Sequence, residues 1–383
     1  MKMALILNTN ALGGAERSMI EQLQLVKEKL TLEVFLPRLL QNENKLRASI
    51  ENNLSSPTKS FRFPSAFYQL HQKSDSWQIF FAMISLLFSP LLFTDLKELK
   101  KFEVIYCNGN KAASWIIFWA LFTFYKGRVV WHFRDYPEKK RSLKWIILLS
   151  EKFGQFNLSL VANSFSVKKA IETELSFDHA QVIYNKTAKM TKRVENFDLK
   201  KIGVVAMMAP WKGIHQMILF ANLYEKELCE LGVEELSIYS ASIYQTQGEH
   251  REYHEELKKL LVKFPSRLVK FHFDKNPQEI FTKIDLLIHP SLKPEPFGRV
   301  ILEAFKSGVP VISTALGGAG ELVRDEENSL VFFKHDHHGL FRQIEKLIIN
   351  KKLRSRLIEE AAKNGDEIEA NVKIDLERLL GVA

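Results

Sequence analysis

Two short apolar runs, Asp285-Leu-Leu-Ile-His-Pro290-Ser291 and Val309-Pro-Val-Ile-Ser313, bracket the stretch that most limits what this chain can fold into. Each is strand-like in length and composition, and the first breaks at a proline. Between them there is room for one helix, opened by Gly298 and closed by Gly308. Glu295 then falls in the loop just before the helix and Glu303 well inside it. A helix start presents backbone N–H groups and a positive dipole end, so it attracts phosphate. A carboxylate beside that anion site and another further along can hold the hydroxyls of a sugar and of a ribose. Taken alone, a surface glutamate and a helix-face glutamate explain the pair as readily.

The rest of the chain repeats the strand-then-helix pattern. With 383 residues, two domains of ordinary size are expected. In the first half, strands are predicted at Ala4–Asn8, Thr31–Pro37, Phe102–Asn108, Arg128–His132, Leu158–Asn163 and Gln181–Asn185. The polar region from Gln41 to Ser60 reads as a loop. Gly13 and Gly14 lie on the turn from the first strand into an amphipathic helix, where a missing Cβ lets backbone approach a diphosphate. A simple tight turn accounts for them too, and the Gly-x-Gly-x-x-Gly spacing of dinucleotide folds is absent. His132, Arg134 and Asp135 cluster at a strand end, where open α/β sheets gather ligand contacts; a loop ion pair is the plainer explanation. The polar stretch from Thr187 to Lys200 reads as a linker. Beyond it come strands at Ile202–Ala206, Leu236–Tyr239, Leu268–Phe273 and Asn328–Phe332. Lys212 sits beside Gly213 at a helix entrance, where an ammonium can neutralise a leaving diphosphate.

Composition narrows the partners. The two cysteines, Cys107 and Cys229, give neither a disulfide framework nor a metal cluster, which fits a reducing compartment and a cytoplasmic protein. The N-terminal apolar stretch is too short for a signal peptide. A net charge of +9 favours an anionic partner. Nucleic acid is unsupported, because no zinc finger, RNP-type aromatic motif or basic repeat is present. An anionic membrane surface fits better. Ser76 to Thr94 is charge-free and largely apolar, Trp115 to Tyr125 is a second such stretch, and Lys139 to Lys144 is a basic cluster. Each apolar stretch reads equally as a buried core helix or as an in-plane helix facing lipid.

The segment from Asp285 to Glu321, with His-Pro-Ser, Glu-Pro-Phe-Gly, a second glutamate after seven intervening residues and Gly-Val-Pro-Val-Ile, resembles the signature region of the family 4 retaining glycosyltransferases (glycosyl transferases group 1). Gly-Gly-Ala-Glu-Arg in the first loop and Trp-Lys-Gly at 211–213 match that family as well. The resemblance implies a GT-B fold, α/β, with two Rossmann-like domains whose parallel sheets face a central cleft. The expected domains are 1–186 on the acceptor side, a linker at 187–200, a nucleotide-sugar donor domain at 201–365, and a C-terminal helix at 366–383 crossing back to the first domain.

The resemblance also assigns roles. Glu295 handles the hydroxyls of the transferred sugar and Glu303 those of the ribose, with Gly13, Gly14, Lys212, Phe273, Pro296, Phe297, Gly298, Arg299 and Val300 completing the donor contacts. Glu295, Lys212 and either His132 or Asp135 form the catalytic set, and Arg134 and Asn163 are candidate acceptor or sugar contacts. The implied reaction is a metal-independent, hexosyltransferase-type transfer, with retention, from a nucleoside diphosphate sugar. A UDP-sugar is favoured and GDP-mannose comes next. The acceptor is a hydroxyl of a lipid-linked or surface polysaccharide or lipopolysaccharide, reached at the inner membrane face. The nucleotide sugar is a co-substrate, and no cofactor or metal is expected. Three departures stand out: Met207 replaces a usual arginine, Lys186 a usual glycine, and Phe273 a usual glycine. Arg299 or Arg17 could supply the missing cation. A GT-B nucleotide-sugar epimerase and a catalytically impaired nucleotide-sugar-binding scaffold stay open as alternatives.

Overall fold

The computed structural model describes residues 1–9, 12–38, 44–62, 96–137, 141–192, 198–241 and 248–382. The chain divides into two units. The first is Met1–Lys186 with Glu369–Ala383, and the second is Thr187–Ile368.

In the first unit the described strands are β1 (Lys2–Ile6), β2 (Thr31–Pro37), β3 (Thr58–Phe61), β4 (Val104–Asn108), β5 (Arg128–Phe133), β6 (Asn157–Ala162) and β7 (Gln181–Val182). They form a parallel sheet in the order β3-β2-β1-β4-β5-β6-β7. Because side chains alternate along a strand, each strand feeds two cores. Ala4, Ile6, Ile105, Cys107, Val129 and Trp131 point into one, packed with Trp115 and Trp119 of the helix Asn110–Thr123. Met3, Leu5, Val104, Tyr106 and Val130 point into the other, against Met19, Ile20 and Leu23 of the helix Gly14–Gln24. Trp115 and Trp119 are wholly enclosed, so this stretch is a core helix over most of its length, with Phe122 and Phe124 exposed at its end. The other charge-free stretch, Ser76–Thr94, lies outside the described residues. No described helix is long and apolar enough to cross a membrane.

The region read as a loop from Gln41 to Ser60 holds regular structure, the helix Asn44–Leu54 and the edge strand β3. Leu46, Ile50 and Leu54 recur at four-residue spacing and are buried against the second of these cores. That apolar stripe outweighs the low helix propensity of the asparagines and serines around it.

The second unit holds β8 (Lys201–Val205), β9 (Glu235–Ser240), β10 (Val269–Phe273), β11 (Leu286–His289), β12 (Val311–Ser313) and β13 (Leu330–Val331), parallel in the order β10-β9-β8-β11-β12-β13. The order reverses between β8 and β11, as it does between β1 and β4 in the first unit. At such a reversal the connections leave to opposite faces of the sheet, opening a crevice beyond the C-terminal strand ends.

One helix, Lys351–Leu380, belongs to both units by residue grouping. Its Val372, Leu376, Leu379 and Leu380 join the same cluster as Met3, Leu5 and Val34. The C-terminal residues thus complete a core begun by the first strand. Leu376→Ala should therefore destabilise the first unit by about 3 kcal/mol through the transfer and cavity terms, read as a lowered midpoint in urea denaturation.

Candidate active site

The reversal between β8 and β11 brings together residues that are far apart in sequence. After β8 the chain makes a short 3-10 turn, Pro210–Lys212, and enters the helix Ile214–Leu223. Gly213 between them has φ of 72°, and a Cβ there would lie 2.1 Å from the carbonyl oxygen of Pro290. Only glycine allows this approach of the Lys212 loop to the segment following β11. The Leu292 amide donates to the Trp211 carbonyl at 2.7 Å and joins the two loops. The Lys212 ammonium lies 4.1 Å from the centre of the Trp211 ring and 2.6 Å from Glu295 Oε1.

Glu295 is buried, and three side-chain donors reach the same oxygen, Oε1: Lys212 Nζ, Ser291 Oγ, and His289 Nε2 at 3.3 Å. Its backbone is held as firmly. The Glu295 amide donates to the Leu316 carbonyl at 3.0 Å, and the Gly318 amide donates to the Glu295 carbonyl at 2.7 Å. A Cβ on Gly318 would meet Pro296 O at 2.2 Å, which is why a glycine stands there. The Leu316–Glu321 segment is thus a hydrogen-bonded brace for Glu295. Burial alone would raise the pKa of this carboxyl. The hydrogen bond from His289 and the charge of Lys212 outweigh burial and hold it at about 2. Glu295 is therefore an anion at neutral pH that can accept hydrogen bonds from hydroxyls and has no proton to give.

The helix Arg299–Ser307 starts and ends on left-handed glycines, Gly298 and Gly308. Glu303 is buried on it and takes an ion pair from Arg299 Nε at 2.8 Å, one turn earlier. Phe297 is buried at the helix entrance, while Pro296 and Val300 are half-buried beside it. Phe273 ends β10 in an aromatic cluster with Phe271 and His254. Glu295, Lys212 and the Glu303 helix thus share the crevice end of one sheet. Sequence reasoning quoted His289, Ser291 and Ser313 but gave them no role. The sequence marks His289 as a histidine ending an apolar strand and no more; its role emerges with the strand order and its pairing to Ser313.

In the first unit, Gly13 caps the helix Gly14–Gln24 and its amide donates to Glu16 Oε2 at 3.2 Å. A Cβ on Gly14 would stand in open space, so packing does not demand that glycine. Glu16 is buried, which raises its carboxyl pKa despite the nearby Arg134. Arg134 donates to Asn108 Oδ1 at 2.7 Å, Asn185 Oδ1 at 2.7 Å and Gln22 Oε1 at 2.8 Å. Its guanidinium ties β4, the first helix and the segment after β7 together, so it works as an internal clamp. Asn163 Nδ2 donates to the Arg134 carbonyl at 3.1 Å and extends the clamp to the end of β6. His132 is fully enclosed, with Nδ1 2.7 Å from the Tyr106 hydroxyl. Burial, helped by the Arg134 charge, keeps its pKa well below the usual histidine range. Asp135 is exposed at the strand end.

Residues 185–364 match the family model described as glycosyl transferases group 1. A Rhizobium meliloti lipopolysaccharide core biosynthesis glycosyltransferase, LpsE, is 43% identical over 65 residues, which cover 17% of this chain and 19% of that protein. The match thus spans about a fifth of that relative's length. A Staphylococcus aureus capsular polysaccharide biosynthesis glycosyltransferase, CapM, is 25% identical over 303 residues, covering 70% of this chain and 75% of its own. The crystal structure of Anabaena HepE in complex with UDP and glucose superposes over 100% of both chains with a TM-score of 0.78 at 21% identity. The fold is therefore GT-B, two Rossmann-like units with parallel sheets, and residues 185–364 carry the match to the glycosyl transferases group 1 family model.

Proposed function

We propose that this protein is a retaining glycosyltransferase that moves a sugar from a nucleoside diphosphate sugar, UDP-linked in preference to GDP-linked, to a hydroxyl of a lipid-linked or surface polysaccharide or lipopolysaccharide acceptor. The observation that carries the reading is the buried, ionised Glu295 paired with Lys212 at the crevice end of the second sheet. In this account the sugar's hydroxyls donate to Glu295 and the ribose hydroxyls to Glu303. Lys212 and the amides entering the helix at Gly298 take up the charge of the departing diphosphate. The bond from the anomeric carbon to the diphosphate oxygen breaks and a bond to the acceptor oxygen forms on the same face. The acceptor proton passes to the departing diphosphate. Glu295 has no part as a general acid. The enclosed, neutral His132 stays a structural partner of Tyr106, and Asp135 is the exposed acid of that region.

The choice of donor draws support from the UDP, UDP-glucose and glucose found in the crystals of HepE. The choice of acceptor draws on the lipopolysaccharide and capsule roles in the names of LpsE and CapM. Work at the inner membrane face fits the net charge of +9 and the helix Arg141–Phe153, which exposes Trp145, Leu148 and Phe153 alongside Lys152. No cofactor is invoked beyond the co-substrate.

A panel of UDP-, GDP- and ADP-sugars tested by thermal shift should raise the melting temperature with UDP-sugars first, because a ligand of the folded state must stabilise it. Glu303→Ala should abolish that nucleotide-dependent shift, and an unchanged shift refutes the ribose role. The affinity for UDP-glucose, whose diphosphate has no group titrating in this range, should show no step near the ordinary glutamate value of about 4.3 as pH falls from about 8 to about 4, because Glu295 stays ionised; a loss centred near that value contradicts the account. Vesicles containing anionic lipid should bind the protein more tightly than neutral ones. Indifference to anionic vesicles, with transfer only to free soluble sugars, refutes the membrane acceptor.

A further inference from the structure

The donors that converge on Glu295 Oε1 are unequal in freedom. Lys212 reaches it on a long flexible stem from a 3-10 turn. His289 ends β11, deep in the sheet, directly beside Ser313 in the β11–β12 register. Its Nδ1 lies 3.2 Å from Ser313 Oγ, and the Ala315 amide donates to that same Oγ at 3.0 Å. An ionised carboxylate can only accept, so the ring nitrogen facing Glu295 must carry a proton, and the hydrogen bond between Nδ1 and the Ser313 hydroxyl holds the ring in that orientation. The ring proton then sits on Nε2, aimed at Glu295. Ser291 is fixed as well, because Thr314 donates to its carbonyl at 2.7 Å.

On the donor reading given above, on which this inference rests, Lys212 has two claimants. A bound diphosphate attracts the ammonium that Glu295 holds in its absence. A buried carboxylate that loses its cation would move or take up a proton unless other donors retain it. We propose that His289 is a positioning residue: fixed by Ser313, it keeps the Glu295 carboxylate seated when Lys212 turns to the diphosphate of the bound donor. The strand-held imidazole supplies geometry and the mobile lysine supplies charge, so the sugar contact and the phosphate contact can be satisfied together.

The test uses the full chain, labelled with 13C at glutamate Cδ, with the Glu295 signal assigned by its loss in Glu295→Gln. In Lys212→Gln the carboxylate should still titrate below the ordinary glutamate range. In Lys212→Gln combined with His289→Leu it should titrate within that range or above it. If Lys212→Gln alone moves the titration as far as the double variant, the proposal is overturned. Calorimetry supplies the second readout. His289→Leu should lose about tenfold in affinity for UDP-glucose, the scale of one charge-assisted hydrogen bond, with UDP affinity unchanged. His289→Gln, which keeps an N–H donor, should recover most of that loss. Equal weakening of UDP and UDP-glucose, or no change in either, contradicts the positioning role. A wild-type protein that binds neither probe refutes the donor reading, and the carboxylate titration then decides the role of His289 on its own.

Discussion

A carboxylate buried among apolar strands is stable only where fixed donors replace the water it has lost, and the second unit is organised around meeting that condition at Glu295. Lys212 arrives from β8, His289 and Ser291 from β11, and the Leu316–Gly318 brace from beyond β12. These contributors meet because the strand order reverses between β8 and β11. Glycines at 213 and 318 remove the Cβ atoms that would otherwise hold the loops apart. The cost of burying the charge is offset by contacts that also orient it, which is how a site can hold a defined geometry before ligand arrives.

The first unit solves a related problem with the opposite sign. There a buried guanidinium, Arg134, is surrounded by the amide oxygens of Asn108, Asn185 and Gln22. Those residues sit at the strand ends and on the first helix, so one cation fixes the rim of the sheet. Arg134 and Asn163, read from sequence as candidate acceptor or sugar contacts, are joined through the hydrogen bond from Asn163 Nδ2 to the Arg134 carbonyl. The same cation adds to the burial that keeps the His132 pKa well below the usual histidine range.

The strands were legible because apolar, β-branched runs bounded by glycine and proline have few other readings, and Gly298 and Gly308 marked their helix ends directly. The helix Asn44–Leu54 was hidden because Asn44, Ser49, Asn52 and Asn53, with Ser55-Ser56-Pro57 just after them, read as loop residues, while Leu46, Ile50 and Leu54 carry its packing. At the site, Glu295, Glu303 and Lys212 could be picked out by type and spacing. The part played by His289 could not, because it depends on the pairing of His289 with Ser313 across two strands. Burial is equally silent in sequence: nothing in His132-Phe-Arg-Asp135 says that the histidine is enclosed and the aspartate exposed.

The central claim is that Glu295 serves the sugar and acts as an ionised acceptor. Replacing it by glutamine preserves its shape and removes its charge, and calorimetry with UDP and UDP-glucose separates nucleotide from sugar recognition. The account predicts that Glu295→Gln binds UDP as well as the wild type or better, since Lys212 is freed, and loses the preference for UDP-glucose over UDP. Retention of that preference, or a parallel loss of both ligands, would contradict it.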